Sequence, residues 1–221
     1  MEGISNLILS ARTPAKDAAS LIIYRGQAES IQVLMGRRRE KANFAPGIYV
    51  FPGGVLEASD RALALNSNIR TEHLAASATK SIETLAITAI RETWEETGLL
   101  LAQNSDLSWT NKPAWTEWLK QSLEPAPQHL RYLGRAITPS SSLRRFHARF
   151  FVSPYEYFQG SLIKNGELLD LRWFSVSEAL RLPIYDVTEI MLAEFQRFLT
   201  DKRRKTPVIS YRNERTLIRY E

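Results

Sequence analysis

The chain has 221 residues, a formal charge of +5, 44% hydrophobic and 10% aromatic residues, and no cysteine. It can bury a full core, most naturally as one domain with insertions, and it excludes dominant disorder, disulfides, thiolate metal sites and cysteine nucleophiles. No run approaches the roughly 20 apolar residues that span a bilayer, and "NLILSA" (residues 6–11) is too short for a secretory core, so the cytoplasm is the expected location and a membrane is not an expected partner.

A pI near 9.5 suits an anionic partner, be it a phosphorylated small molecule, nucleic acid or an acidic surface. The main basic clusters, "RRREK" (37–41) and "DKRRK" (201–205), each contain an acid and read as solvated faces.

In chain order, "ASLIIYR" (19–25) and "IQVLMGR" (31–37) predict two strands joined by the polar turn "GQAES". "GIYVFPGG" (47–54) predicts a third strand ending in a Pro-Gly-Gly turn. Residues 57–80 change to alanine, leucine and polar residues and predict a helical insertion. A helix over residues 81–97 closed by Gly98 comes next, then a short helix over 114–123 and the breaker-rich "EPAPQ". Strands are predicted at 143–152 and 167–176, and a helix at 187–199, where Ile190, Met191, Phe195 and Phe198 recur at helical spacing. Strands mixed with helices in this order predict an α+β or three-layer fold, with the acidic helix against a mixed sheet.

The chemistry concentrates in "RETWEETGLL" (91–100). On a helix, Glu92, Glu95 and Glu96 occupy neighbouring positions of one face, where each like-charge pair costs roughly 0.2–0.5 kcal/mol. A hard divalent cation would supply the missing positive charge, because Mg²⁺ takes oxygen ligands and binds through carboxylates together with substrate phosphates. A solvated face with Arg91 as partner is the competing reading.

"FPGG" (51–54) followed by "RETWEETGL" (91–99) resembles the Nudix hydrolase family. That family's pattern is Gly, five residues, Glu, seven residues, Arg-Glu, an aliphatic residue, any residue, Glu-Glu, any residue, Gly and an aliphatic residue. Arg91, Glu92, Glu95, Glu96, Gly98 and Leu99 fall in register, Glu83 lies eight positions before Arg91, and Thr93 replaces the usual aliphatic residue. The strict position of the first glycine holds Ser77, whereas the Gly-Gly turn is at Gly53 and Gly54. The expectation is therefore an insertion of 23 residues between Gly54 and Glu83, where 28 residues stand in place of five. Coenzyme A diphosphatase-like members are similar in having the turn, an insertion and a later strand that matches "RRFHARFF" (144–151).

The resemblance, which covers residues 18–180, implies an α+β fold: a Nudix-like α/β/α sandwich with a mixed central sheet, carrying the insertion at 57–80 and a C-terminal helix and tail at 187–221. It implies a Mg²⁺- or Mn²⁺-dependent diphosphatase acting on a nucleoside diphosphate linked to another moiety. Glu92 and Glu96 are then the leading metal ligands, Glu95 is a third ligand or polarises metal-bound water, and the Gly53 carbonyl completes the site. Arg91 orients a glutamate and pairs with Glu83. Glu167 is the first candidate for general base, with Glu156 and Glu95 as competitors. Arg37, Arg144 and Arg145 could fork onto phosphate oxygens, and Phe44, Tyr49 and Phe146 could stack on a base. The bland reading of these arginines is surface, of the aromatics core, and of His147 a packed, hydrogen-bonded strand residue.

Coenzyme A, ADP-ribose, dinucleotide polyphosphates and NADH stay open as substrates, and so does a homodimer. A non-catalytic nucleotide sensor is the second reading, opposed by the intact glutamate set. An RNA-end hydrolase is the third. It is allowed by the positive charge, although nucleic acid is not the expected partner. An isomerase is disfavoured because the cysteine such enzymes use is absent.

Overall fold

The structure, a computed structural model, describes residues 13–42, 44–66, 82–105, 115, 118, 120–164, 166–201, 203–213 and 215–221. Its strands are β1 (Lys16–Arg25), β2 (Gln32–Arg38), β3 (Tyr49–Val50), β4 (Gly53–Val55), β5 (Leu99–Leu100), β6 (Ala102–Asn104), β7 (Leu123–Pro125), β8 (Arg131–Ile137), β9 (Phe146–Pro154), β10 (Gln159–Gly160), β11 (Leu168–Ser175), β12 (Pro207–Arg212) and β13 (Arg215–Tyr220). The described helices are α1 (Ala58–Asn66), α2 (Ile82–Thr97), α3 (Val176–Ala179) and α4 (Asp186–Thr200). None of them is long and apolar enough to cross a membrane.

Nine strands form one sheet in the order β11-β2-β1-β9-β8-β12-β13, with β3 beside β2 and β4 beside β1. The β1–β9 and β8–β12 pairs are parallel and the rest antiparallel, so the sheet is mixed. Both faces of β1 are covered along its middle, which is why residues 18–23 are apolar apart from Ser20. Ala19, Leu21 and Ile23 face α2, together with Leu34 and Phe151. Ile22 faces the other way, into a core built with Val33, Met35, Val152, Met191, Leu192 and Phe195 around α4. The result is the α/β/α sandwich.

The outer edge of β1 is divided. Its C-terminal end pairs with β2 at Tyr24 and Arg25, while Ala18, Ala19 and Ser20 pair with β4. The segment predicted as one strand over 47–54 is consequently two short ones, β3 following β2 and β4 following β1, broken at Phe51 and Pro52. That break carries the Gly-Gly turn beneath α2.

α2 ends where predicted. Gly98 has φ of 78°, its N–H donates to the Trp94 carbonyl at 2.8 Å, and a Cβ there would lie 2.7 Å from the Ser161 carbonyl oxygen, so only glycine closes this helix without strain.

Three other expectations change. Residues 207–220 are not a tail: β12 and β13 form a hairpin that extends the central sheet through β8. β8 has no counterpart in the sequence reading because Gly134 and a register shift between Tyr132 and Gly134 interrupt its alternation. Of the helix expected at 114–123, residues 114, 116, 117 and 119 lie outside the described residues and Leu123 already belongs to β7, while Trp115 and Trp118 are buried and Trp118 packs edge-on against Trp94. Of the insertion at 57–80, α1 is helical and residues 67–80 lie outside the described residues.

α1 is fastened to α2 by one ion pair. Asp60, fully buried, accepts Nε and Nη2 of Arg91 at 2.8 and 3.0 Å, the Thr88 hydroxyl at 2.9 Å and the Glu57 N–H at 3.0 Å. Asp60→Ala is expected to cost about 3–5 kcal/mol in urea unfolding, because it leaves a buried guanidinium without its main counter-charge, whereas Glu83→Ala on the exposed side of α2 should stay within about 0.5 kcal/mol. Equal losses in the two variants would contradict this assignment of the Arg91 partner.

Candidate active site

α2 presents its last two turns to the Gly-Gly break. Glu96 is 3% exposed and accepts the Gly53 N–H at 2.8 Å. Glu92, with its side chain 15% exposed, lies directly over Gly54, where a Cβ would come within 2.4 Å of its carboxylate. Glu95 points further out, its side chain 40% exposed. Gly53 is thus shown entering the cluster through its amide, where the sequence reading expected its carbonyl.

Arg91 organises this face from below. Four of its N–H donors make hydrogen bonds, two on Asp60, one on the Val55 carbonyl at 3.0 Å and one on Glu95 at 3.0 Å, and Nη1 also forms an ion pair with Glu92 at 2.9 Å. Burial alone would lower the arginine pKa, but the Asp60 hydrogen bonds and the Glu92, Asp60 and Glu95 charges more than reverse that, so it stays charged. Arg91 pairs with Glu92 and Glu95, and its buried partner is Asp60 where the sequence suggested Glu83.

Asp60 also relocates the insertion. Five residues, 55–59, separate Gly54 from Asp60, the family spacing with aspartate in place of glutamate. The extra residues therefore lie between Asp60 and Arg91, where 30 residues stand in place of seven, giving the same 23. That spacing was the signal available in the sequence, hidden because an aspartate fills it.

Opposite α2, Arg38 on β2 reaches over the cleft. Its Nη2 donates to Glu167 at 3.2 Å, its Nη1 lies 3.9 Å from Glu96, and its Nε donates to the Phe44 carbonyl at 3.0 Å. Glu167 is thereby tethered beside the acidic face with its side chain 62% exposed. Glu156 sits in the turn Tyr155–Tyr157, against the end of β1 remote from Gly53. Arg37 pairs with Glu40 and shares its strand face with Val33 and Met35, so the adjacent Arg38 occupies the place proposed for it.

A cavity of about 530 Å³ opens from the Gly53–Gly54 strand across to the N-terminus of α4. Phe44, Phe146 and Tyr185 stand on its wall, the first two edge-to-face at 5.0 Å, and Arg38 and Arg144 border it. Arg145 instead donates to the Thr13 carbonyl, and Tyr49 is buried with its hydroxyl on Asp170 and its ring against Phe174. His147 is packed on β9, but its Nε2 is buried without a hydrogen-bond partner; burial, then Arg149 and Arg135, push its pKa down to about 4.

Burial pushes the Glu92 carboxyl up to about 7, against the pull of Arg91 and with the help of Glu95. It pushes Glu96 up to about 8, against the Gly53 N–H and with the help of Glu92 and Glu167. Among the described residues no three acidic or histidine groups form a ready-made cation cage. The donor set still fits Mg²⁺ or Mn²⁺: two adjacent desolvated carboxylates are short of positive charge, and Mg²⁺ is commonly held by one or two carboxylates plus water and substrate phosphate.

The profile of the NUDIX domain family matches residues 14–195. The chain belongs to this family. A NUDIX hydrolase from Alicyclobacillus acidocaldarius superposes with a TM-score of 0.70 at 28% identity, over 83% of this chain and 91% of that one. The NUDIX domain of Shewanella oneidensis NrtR, solved with ADP ribose, superposes at 0.51 with 13% identity, over 85% and 90% of the two chains, a likeness of fold alone. A Caenorhabditis elegans protein provisionally named nudix hydrolase 7 is 24% identical over 176 residues, 75% of this chain, and the chain spans about half (53%) of that relative's length.

The raised carboxyl pKa values give this Nudix site a signed pH dependence. Both folded-state values lie above the ordinary 4.5, so the folded protein holds these protons more tightly than the unfolded chain. The associated stability is complete below that ordinary value and is lost as pH rises through about 7 and 8. In EDTA, the melting temperature of wild type relative to Glu96→Gln should fall on the order of 5 °C between about pH 6 and 8.5, and saturating Mg²⁺ should abolish the fall. A difference that is flat in EDTA would contradict a desolvated Glu96.

Proposed function

We propose that this Nudix protein is a Mg²⁺- or Mn²⁺-dependent diphosphatase that hydrolyses a small nucleotide derivative, a nucleoside diphosphate joined to a second moiety. The observation that carries the reading is the position of the half-buried Glu92 and the buried Glu96 beside Gly53 and Gly54, which also line the cavity with aromatic walls and an arginine rim. A partly enclosed apolar cavity with a few polar groups suits a small ligand better than a polymer.

Glu92 and Glu96 are the residues that would hold the cation, which when bound neutralises the diphosphate and acidifies a water molecule. Arg91 fixes the Glu92 and Glu95 carboxylates from behind. Arg38 and Arg144 bind and orient the anionic substrate from the opposite side, and Phe44 and Phe146 offer ring faces or edges to a base. Glu167, steadied by Arg38 yet open to solvent, takes the proton from the attacking water, and Glu95 is the competing acceptor. ADP-ribose, coenzyme A, NADH and dinucleotide polyphosphates all have the required diphosphate or longer phosphate bridge.

The test is Mg²⁺- and Mn²⁺-dependent product release across those compounds, nucleoside triphosphates and capped RNA. One class should be turned over, with kcat falling at least about 100-fold in Glu96→Gln and in Glu167→Gln, and less in Glu95→Gln. Absence of turnover together with tight binding of one ligand would overturn the hydrolase reading in favour of a nucleotide sensor. Turnover of capped RNA alone would replace the small-molecule substrate.

A further inference from the structure

Beside the cavity lies a second, smaller pocket of about 300 Å³, and the chemistry above uses Arg38, Arg144 and Glu167 of its charged lining but gives no role to Arg39 or Lys41. It is lined by Arg38, Arg39, Lys41 and Arg144 with Glu167 as its one carboxylate, four cations against one acid. Arg38 already takes that acid at 3.2 Å. Arg39 spends a donor on the Gly166 carbonyl at 2.8 Å, a neutral partner. Lys41 and Arg144 form no ion pair among the described residues and are exposed. Among the described residues three positive charges thus line one concavity whose single carboxylate, Glu167, is already paired with Arg38.

The pocket is continuous with the cavity, since Arg38, Phe44 and Arg144 line both. Arg38 also lies 3.9 Å from Glu96, so the two anion-binding regions are separated by the breadth of one guanidinium. A ligand with its diphosphate at the glutamates and its base against Phe44 therefore has its ribose side next to uncompensated cations. Its single diphosphate cannot occupy both places.

We propose that this pocket is a subsite for a phosphomonoester on the nucleoside half of the substrate, a group separate from the diphosphate that is cleaved; the inference rests on the diphosphatase reading for the identity of the adjoining site. A phosphomonoester carries a charge of about −1.5 to −2 and three acceptor oxygens, which matches unpaired guanidinium and ammonium donors. The subsite selects nucleotides phosphorylated on the ribose over those with a free ribose.

Calorimetry in EDTA, with no divalent cation, tests the subsite directly. Wild type should bind adenosine 2′,5′- or 3′,5′-bisphosphate about tenfold or more tightly than adenosine 5′-monophosphate at roughly 0.1 M salt. Lys41→Ala/Arg144→Ala should bring the pair within about twofold, while Arg215→Ala/Arg219→Ala on the exposed β13 should leave the preference in place and so exclude a general charge effect. In turnover, kcat/KM should favour NADPH over NADH, or coenzyme A over its 3′-dephospho form, and the first double variant should erase that ratio. Equal binding of mono- and bisphosphate by wild type, or a preference that survives loss of Lys41 and Arg144, overturns the proposal. If neither member of either pair is hydrolysed, those compounds are not the substrates, and the metal-free binding comparison decides the subsite independently of the hydrolase reading.

Discussion

A guanidinium that is 1% exposed holds this site together. Arg91 cannot be buried uncompensated, because an isolated charge in a low-dielectric interior costs several kcal/mol. Its guanidinium binds α1 through Asp60, the end of β4 through the Val55 carbonyl, and the acidic face through a hydrogen bond to Glu95 and an ion pair with Glu92. One side chain therefore ties together two helices, a strand and two carboxylates of the acidic face. So paired, it specifies their mutual placement, as half-paired buried networks cannot.

The positive charge beneath the cluster does not neutralise all of it. Among the described residues Glu96 has only the Gly53 amide at close range, with Arg38 at 3.9 Å, and burial raises its proton affinity along with that of Glu92. The carboxylates are held in a desolvated geometry that favours either protons or a cation. Glycine makes this geometry attainable: at Gly54 any side chain would collide with Glu92, and at Gly53 a Cβ would lie 2.3 Å from the Ala19 carbonyl oxygen. The main chain approaches the acidic helix closely because two consecutive residues lack a Cβ.

The divided edge of β1 supplies the other requirement, room for a ligand. With β2 taking one end of that edge and β4 the other, the sheet opens at the Gly-Gly break, and the space is walled by Phe44 and by β8, β9 and the start of α4. Residues far apart in sequence therefore face one volume, and the basic stretch at 37–41 becomes part of its rim.

Local pattern sufficed for much of this. The register of Arg91, Glu92, Glu95, Glu96 and Gly98, the helix that carries them, the main strands and the apolar periodicity of α4 follow from spacings of three, four and two residues, which short-range geometry imposes. Even the Arg91 partner was present as Gly54, five residues and Asp60. Tertiary structure alone decided that Asp60 is that partner, since 30 residues separate it from Arg91 and only the docking of α1 on α2 brings them together. It likewise chose Arg38 over Arg37 by strand register and turned the tail at 207–220 into a hairpin of the central sheet. Contacts between distant segments depend on how layers pack, and that information is spread over the whole core rather than held in any one stretch.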